Sequence, residues 1–368
     1  MKASVQYKNA RINGRLTDIR IEDGRFCSFE KTEQDGIDLS GRDVFPGLID
    51  LHCHGAMGYD VLGDTEHIET ISTYLAENGI TTWFPTTGGS KETILKMLNT
   101  PLDGYRGANL LGYHLEGPYL SPHSLGACAP DSIKLPDLED FAGYDNVKRI
   151  TMAPELEGAI DYIRGTKATV TIGHTKADYA TAMAAIDAGA SCLTHTFNAM
   201  PPFHHREPGP IGAAIERDLY VEVICDGFHL HKSVVTALYR TFGRERMILI
   251  SDAVAGTGLP DGEYYKQGKY KRIIKNGVIR TENGNLAGSA SNLLMDVRKA
   301  IEFGIPREDA FYMASATPAI HMGLNKGKIE IGYDADFIVV NDQNELLTTV
   351  IGGKIFSGKG ATCHADRN

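Results

Sequence analysis

No apolar run in this 368-residue chain approaches the roughly 20 residues that a membrane-spanning helix requires. Its first residues, MKASVQYKNARINGRL, also lack the apolar segment of a secretory signal, so a cytoplasmic protein is expected. Basic residues form no block: 37 Lys and Arg are mixed with 47 Asp and Glu, the formal net charge is −10, and a nucleic-acid partner is not expected. The six cysteines, Cys27, Cys53, Cys128, Cys192, Cys225 and Cys363, include no Cys-x-x-Cys pair, which argues against a zinc ribbon and against a disulfide framework. All but Cys128 are read as small buried apolar side chains. Internal repeats and low-complexity segments are missing as well.

What is present is an ordinary globular composition, 42% apolar, with strand-like runs at even spacing. In order they are GLIDLHCH, TTWFPTT, NLLGYHLE, VKRITMAP, ATVTIGHT, SCLTHTF, YVEVICD and MILISDA. Helix-like stretches lie between them, such as HIETISTYLAENG from His67 and ADYATAMAAIDAGA from Ala177, each closing at a glycine suited to a C-cap. Strand then helix, repeated eight times, predicts an α/β fold of the (β/α)8 TIM-barrel type. A doubly wound open sheet is the alternative, but HGAMGYD after the first strand is no glycine-rich phosphate loop. Both ends carry short alternating runs with Asn-Gly and Asp-Gly turns. Residues 1–45 and 326–368 are therefore expected to form one small β-sandwich domain, with the barrel over residues 46–325. A further hairpin, KRIIKNGVIRTENG, interrupts the path after the eighth strand.

In such a barrel the reactive groups gather at the C-terminal ends of the strands. There stand His52 and His54 on the first run, Glu116 on the third, His174 on the fifth, His195 on the sixth and Asp252 on the eighth. Strand side chains alternate, so His52 and His54 face the same side about 6.7 Å apart, with Cys53 opposite. Singly, each of these residues has an ordinary reading as a turn or core side chain. Together they do not, because unpaired buried polar groups cost about 1 to 3 kcal/mol each, and the four histidines and Glu116 on one rim need a shared partner. A divalent cation supplies it; His and carboxylate donors suit zinc, with iron and manganese as alternatives. His114 shares the Glu116 face and either orients a ligand or packs in the core. Asp252 is the candidate base and acid, and the chemistry implied is hydrolysis of an amide or related C–N bond.

These residues resemble the amidohydrolase superfamily, whose barrel carries a small β-sandwich built from both chain ends. More narrowly, HLEGPYLSP, IGHT, THTFNAMPPF, REPGPIGA, DGFHL, LISDA, LAGSA and ASATPA, in that order, resemble the N-acetylglucosamine-6-phosphate deacetylase family. The resemblance implies metal ligands at Glu116, His174 and His195 and a general base and acid at Asp252. It implies sugar-phosphate contacts at Asn198, Ala199, Arg206 and His229, with Asp226 in the same DGFH motif, and a pocket wall at Leu286, Ala287 and Gly288. A homodimer is implied too, with Arg206 and His229 reaching across the interface. The implied reaction is hydrolysis of N-acetyl-D-glucosamine 6-phosphate to D-glucosamine 6-phosphate and acetate.

Two features stand apart from the family pattern. Some relatives replace one or both histidines after the first strand; here His52 and His54 are kept, so one or two ions per subunit are expected, two if Glu116 bridges. In SLGACAP the turn carries Ala127 and Cys128 where relatives have a His or Gln after the Ala. A thiol is a poor partner for a sugar hydroxyl, so N-acetylgalactosamine 6-phosphate is the competing substrate. A cyclic-amide hydrolase is disfavoured because its bridging lysine belongs on the fourth strand, where Lys148 stands only at the start. A nucleobase deaminase has no use for the phosphate donors of NAMPPFHHREPG, and a non-enzymatic scaffold would be expected to have lost ligands.

Overall fold

The computed structural model of the protein describes residues 4–62, 64–128, 133–266 and 270–357. Eight parallel strands form a nearly closed barrel: Leu48–Cys53, Ile80–Thr87, Tyr113–Glu116, Val147–Met152, Thr169–Ile172, Cys192–Leu193, Tyr220–Ile224 and Met247–Ile250. Each pairs with the next in the chain. The ring is joined past the eighth strand, where the Asp252 N–H donates to His52 O at 2.9 Å and Cys53 bridges Ala253. Every residue of the first two strands is buried, as a parallel sheet covered on both faces requires.

Helices coat the outside where amphipathic spacing and caps allow. Thr65–Glu77 begins two residues before the expected His67, because the Asp64 side chain accepts the N–H groups of Glu66 and His67. Its Ile68, Ile71 and Leu75 face inward, each worth about 1.5 to 3 kcal/mol in burial. The expectation of a helix after every strand fails at the third. Residues 117–146 carry, among the described residues, only the 3-10 turn Leu138–Phe141. Pro118, Pro122 and Pro136, together with Gly117, Gly126 and Gly143, oppose a helix in this stretch. The loop is held instead by Asp140, which accepts from Tyr119 Oη at 2.9 Å, Lys91 Nζ at 2.8 Å and Lys134 Nζ at 2.6 Å.

At the barrel foot, Ile49, Phe84, Cys192, Ile224 and Ile248 pack with Ala319, Met322 and Leu324, from the helix Ala316–His321 and the turn after it. That plug leaves the opposite rim as the accessible end. The expected hairpin after the eighth strand is a three-stranded sheet, Gly262–Lys266, Tyr270–Lys275 and Val278–Thr281. The chain ends meet in one mostly antiparallel sheet, where Phe337–Val340 from the tail pairs with Asp43–Pro46. Its core gathers Tyr7, Ile19, Ile21, Phe26, Val44, Phe337 and Val350. Gly47 donates to Asp336 O at 3.0 Å, so the sheet grips the chain just where it enters the first barrel strand.

Of the cysteines, Cys53, Cys192 and Cys225 are buried as expected. Cys27 is not: it lies half-exposed, with Arg20 Nη2 at 3.2 Å from Sγ, because the short strand Arg25–Ser28 ends its sheet and only one face is covered. Cys363 lies outside the described residues. Among the described residues no helix is long and apolar enough to cross a membrane.

Candidate active site

Glu116 is the last residue of the third strand, and the other rim residues stand at or just past their strand ends. His174, His195 and Asp252 leave their strands through left-handed backbone, φ 47°, 27° and 48°, which turns each side chain over the barrel mouth. Non-glycine residues hold such angles at a cost of about 1 to 3 kcal/mol, the kind of strain found at functional sites. Gly173 is needed beside His174: a Cβ there would stand 2.6 Å from Thr194 Cβ and 2.8 Å from Thr151 Cγ2.

The five expected ligands fall into two donor groups, His52 with His54 and Glu116, and Glu116 with His174 and His195, in each of which the donor atoms lie within 4.8 Å of one another. Glu116 belongs to both. Its Oε1 lies 3.1 Å from His174 Nε2 and 3.0 Å from His195 Nε2, and its Oε2 3.3 Å from His54 Nε2. His52 Nε2 approaches His54 Nε2 at 3.1 Å, and His174 Nε2 approaches His195 Nε2 at the same distance.

A hydrogen-bond count shows that this arrangement fits a cation. His174 Nδ1 donates to Ser124 O at 3.0 Å, and His52 Nδ1 lies 3.4 Å from a buried carboxylate oxygen of Glu222. Those bonds place the protons of the neutral rings on Nδ1, so both Nε2 lone pairs face other acceptors. Burial opposes charge throughout, yet the carboxylates of Glu116 and Asp252 push His52, His54 and His174 up. Against the same burial, His174 and His52 hold Glu116 well below the usual carboxylate range, and His52 with His54 lowers Asp252. The cluster calls for positive charge at its centre, and the two donor groups could hold one ion or two.

Asp252 Oδ1 stands 3.3 Å from His54 Nε2 and 3.5 Å from His52 Nε2. Its carbonyl accepts the Ser289 N–H at 2.9 Å, which brings the expected wall of Leu286, Ala287 and Gly288 alongside. Gly288, at φ 69°, has no room for a side chain: a Cβ would meet Val254 Cγ1 at 2.3 Å. His114 offers no nitrogen to a metal, since Nδ1 meets Thr86 Oγ1 at 3.2 Å and Nε2 meets Thr151 Oγ1 at 2.8 Å. It packs edge-on against His52, ring centroids 4.7 Å apart, so among the candidate ligands it touches His52.

The loop after the third strand lies across this rim. Ser124 Oγ donates to Ala199 O at 2.8 Å, and a Cβ on Gly126 would touch His174 at 3.2 Å, which seats Ala127 and Cys128 over the mouth. A Cβ on Gly88 would be 3.0 Å from Glu116 O and 3.9 Å from Cys128 Sγ, so the thiol and the end of the third strand both flank Gly88. Asn198 is tied to the His195 carbonyl by its backbone N–H at 2.9 Å and its side chain at 3.1 Å, fixing the turn that presents Ala199. Asp226 accepts the backbone N–H groups of Phe228 and His229 and the His229 Nδ1–H at 2.7 Å. Burial would lower His229, but that bond and the Asp226 charge raise it, with Asp252 adding to the effect. His229 is thereby fixed against Asp226, with its side chain largely buried. Arg206 is exposed, with Nη1 2.7 Å from His205 Nε2.

Sequence reasoning missed three supports of the site. Glu222 and Arg149 form a fully buried ion pair under the histidines, and Glu155 accepts Thr175 Oγ1 at 2.5 Å and Lys176 N–H at 2.6 Å, bracing the turn after His174. The signal for the pair was a charge set beside apolar residues within each of YVEVICD and VKRITMAP.

A shared carboxylate between two imidazole pairs, at the mouth of a barrel, defines a metal-dependent hydrolase centre. The Amidohydrolase family model matches residues 44–356, and the chain belongs to that family. It is 36% identical to an N-acetylglucosamine-6-phosphate deacetylase of Vibrio furnissii, covering 93% of this chain and 88% of that one. It is 31% identical to an N-acetylgalactosamine-6-phosphate deacetylase of Escherichia coli O157:H7, covering 92% and 94%. Among solved structures it is similar to a mutant N-acetyl-D-glucosamine-6-phosphate deacetylase of Mycobacterium smegmatis in complex with N-acetyl-D-glucosamine-6-phosphate, with TM-score 0.85, 29% identity and coverage of 96% and 99%.

Proposed function

We propose that the protein hydrolyses N-acetyl-D-glucosamine 6-phosphate to D-glucosamine 6-phosphate and acetate, in the cytoplasm. The observation that carries this reading is Glu116 shared between two His donor groups with Asp252 Oδ1 3.3 Å from His54, in a chain similar to deacetylases of phosphorylated amino sugars. Zinc is the preferred ion; Glu116, His174 and His195 would hold it, and His52 and His54 with Glu116 would offer a second position. When bound, it would lower the pKa of water and polarise the amide carbonyl. Asp252, ionised at neutral pH, takes the proton of the attacking water and returns it to the departing amine nitrogen. The Asn198–Ala199 turn, with Arg206 and His229 supplied from a second subunit, holds the sugar phosphate on the rim, so its binding energy positions the amide. Acetate release from phosphorylated and free N-acetylhexosamines, with zinc, iron or manganese added, tests the reading; no release from either phosphorylated epimer rejects it.

Arg206 and His229 are both assigned to the phosphate of a second subunit's substrate. Arg206 is exposed in the single chain, as are Phe203 (51%) three residues before it and Phe228 (52%) next to His229 in sequence, which supports a homodimer interface formed by these segments. Arg206→Ala is expected to raise KM for the phosphorylated sugar roughly 10- to 100-fold, the worth of one charge-assisted hydrogen bond, and to leave the free sugar unaffected. Equal losses on both sugars would remove the assignment.

The second reading, preference for N-acetylgalactosamine 6-phosphate, is favoured by Cys128 at the rim. A Cys128→His variant is expected to move the ratio of kcat/KM for the two epimers toward the gluco sugar by roughly tenfold, about the value of one regained hydrogen bond. If the ratio stays where it was, Cys128 does not set selectivity.

A further inference from the structure

Inside the barrel, one layer below the rim, two opposite charges are completely enclosed. Glu222 lies on the seventh strand and Arg149 on the fourth, each with no solvent exposure, and Arg149 Nη1 pairs with Glu222 Oε1. Arg149 also reaches Leu51 O at 3.4 Å and Cys192 Sγ at 3.7 Å. Burying such a pair is a poor route to stability, because desolvation offsets most of the attraction and apolar replacements are often tolerated. Its place in the site gives it another use.

The two oxygens of Glu222 are divided. Oε1 meets Arg149, whereas Oε2 lies 3.4 Å from His52 Nδ1 and 3.2 Å from the backbone N–H of His195. His52 belongs to the first donor group and His195 to the second. A single carboxylate oxygen therefore ties one member of each group to the barrel interior. It also keeps the His52 proton on Nδ1, so that Nε2 faces Glu116 at 3.4 Å and Asp252 at 3.5 Å as a lone pair. The opposite tautomer would aim a proton into the centre. Arg149 neutralises Glu222, so this support adds no charge to a centre already holding two carboxylates.

We propose that Glu222, neutralised by Arg149, is a positioning residue for the metal centre: it fixes the tautomer of His52 and the spacing of the two donor groups. The inference rests on the metal-dependent reading above. The test is zinc binding to the apoprotein, by competition with a chromophoric chelator, together with 15N imidazole NMR of the same samples. In Glu222→Gln, zinc is expected to bind about 10- to 100-fold more weakly, the usual loss when the partner of a ligating imidazole is removed. The His52 Nδ1–H signal should change, and Glu222→Asp should recover part of the affinity. Should the single variant fail to fold, the apolar pair Arg149→Met with Glu222→Met keeps the packing, leaves no unpaired charge and is measured in the same way. Wild-type zinc affinity with an unaltered His52 signal in a folded variant overturns the proposal. If the wild-type protein itself takes up no zinc, the metal-dependent reading falls with it; if the wild type binds zinc and the variants match it, only the positioning role is lost.

Discussion

Asp252→Asn is expected to bind zinc and substrate with near-normal affinity while kcat falls by roughly 10³- to 10⁵-fold, about 4 to 7 kcal/mol of transition-state stabilisation. Asparagine is nearly the same shape and keeps the backbone links that join the ring, from Asp252 N–H to His52 O and from Ser289 N–H to Asp252 O. What it lacks is a site for the proton. With no acceptor for the water proton and no donor for the amine, both halves of the reaction slow together. Acetate release under saturating substrate, with metal content measured on the same sample, checks this; a kcat within tenfold of wild type would remove Asp252 from the proton path.

Glu116→Gln should have a different signature. Glu116 is the one member of both donor groups, so a neutral amide in its place weakens every position at once and removes one of the two buried carboxylates facing the imidazoles. Metal content is expected to fall by at least half after dialysis, with kcat/KM down by roughly 10³-fold or more, because a loss of one anionic ligand removes both affinity and the arrangement of the reacting groups. Excess zinc should restore part of the activity, which it cannot do for Asp252→Asn. Full metal content in the glutamine variant would show that the histidines suffice without a bridge.

The contrast between these variants follows from features that differ in how readily they are read from sequence. The rim residues were legible because a strand imposes period two and ends abruptly: a His, Glu or Asp closing a run of buried residues stands out, and the barrel rule says where such ends collect. Glu222 and Arg149 were not. A charge inside YVEVICD or VKRITMAP reads equally as a solvent-facing position on a half-exposed strand, and only closure of the ring makes both faces interior. The helix missing after the third strand was signalled by prolines but masked by the regularity of its neighbours. Cys27 was misjudged because residue type says nothing of which sheet face is covered.

Sequence alone settled the order of the eight strands and the kinds of side chain that end them, since both depend on local periodicity and on chain punctuation. Which nitrogen of each imidazole faces the centre, that Glu116 touches two groups, and that His114 packs against His52 were decided only in three dimensions. The reason is physical: a proton's location on a histidine is set by the partner across the barrel, and those partners lie from 50 residues away for His174 to 170 residues away for His52.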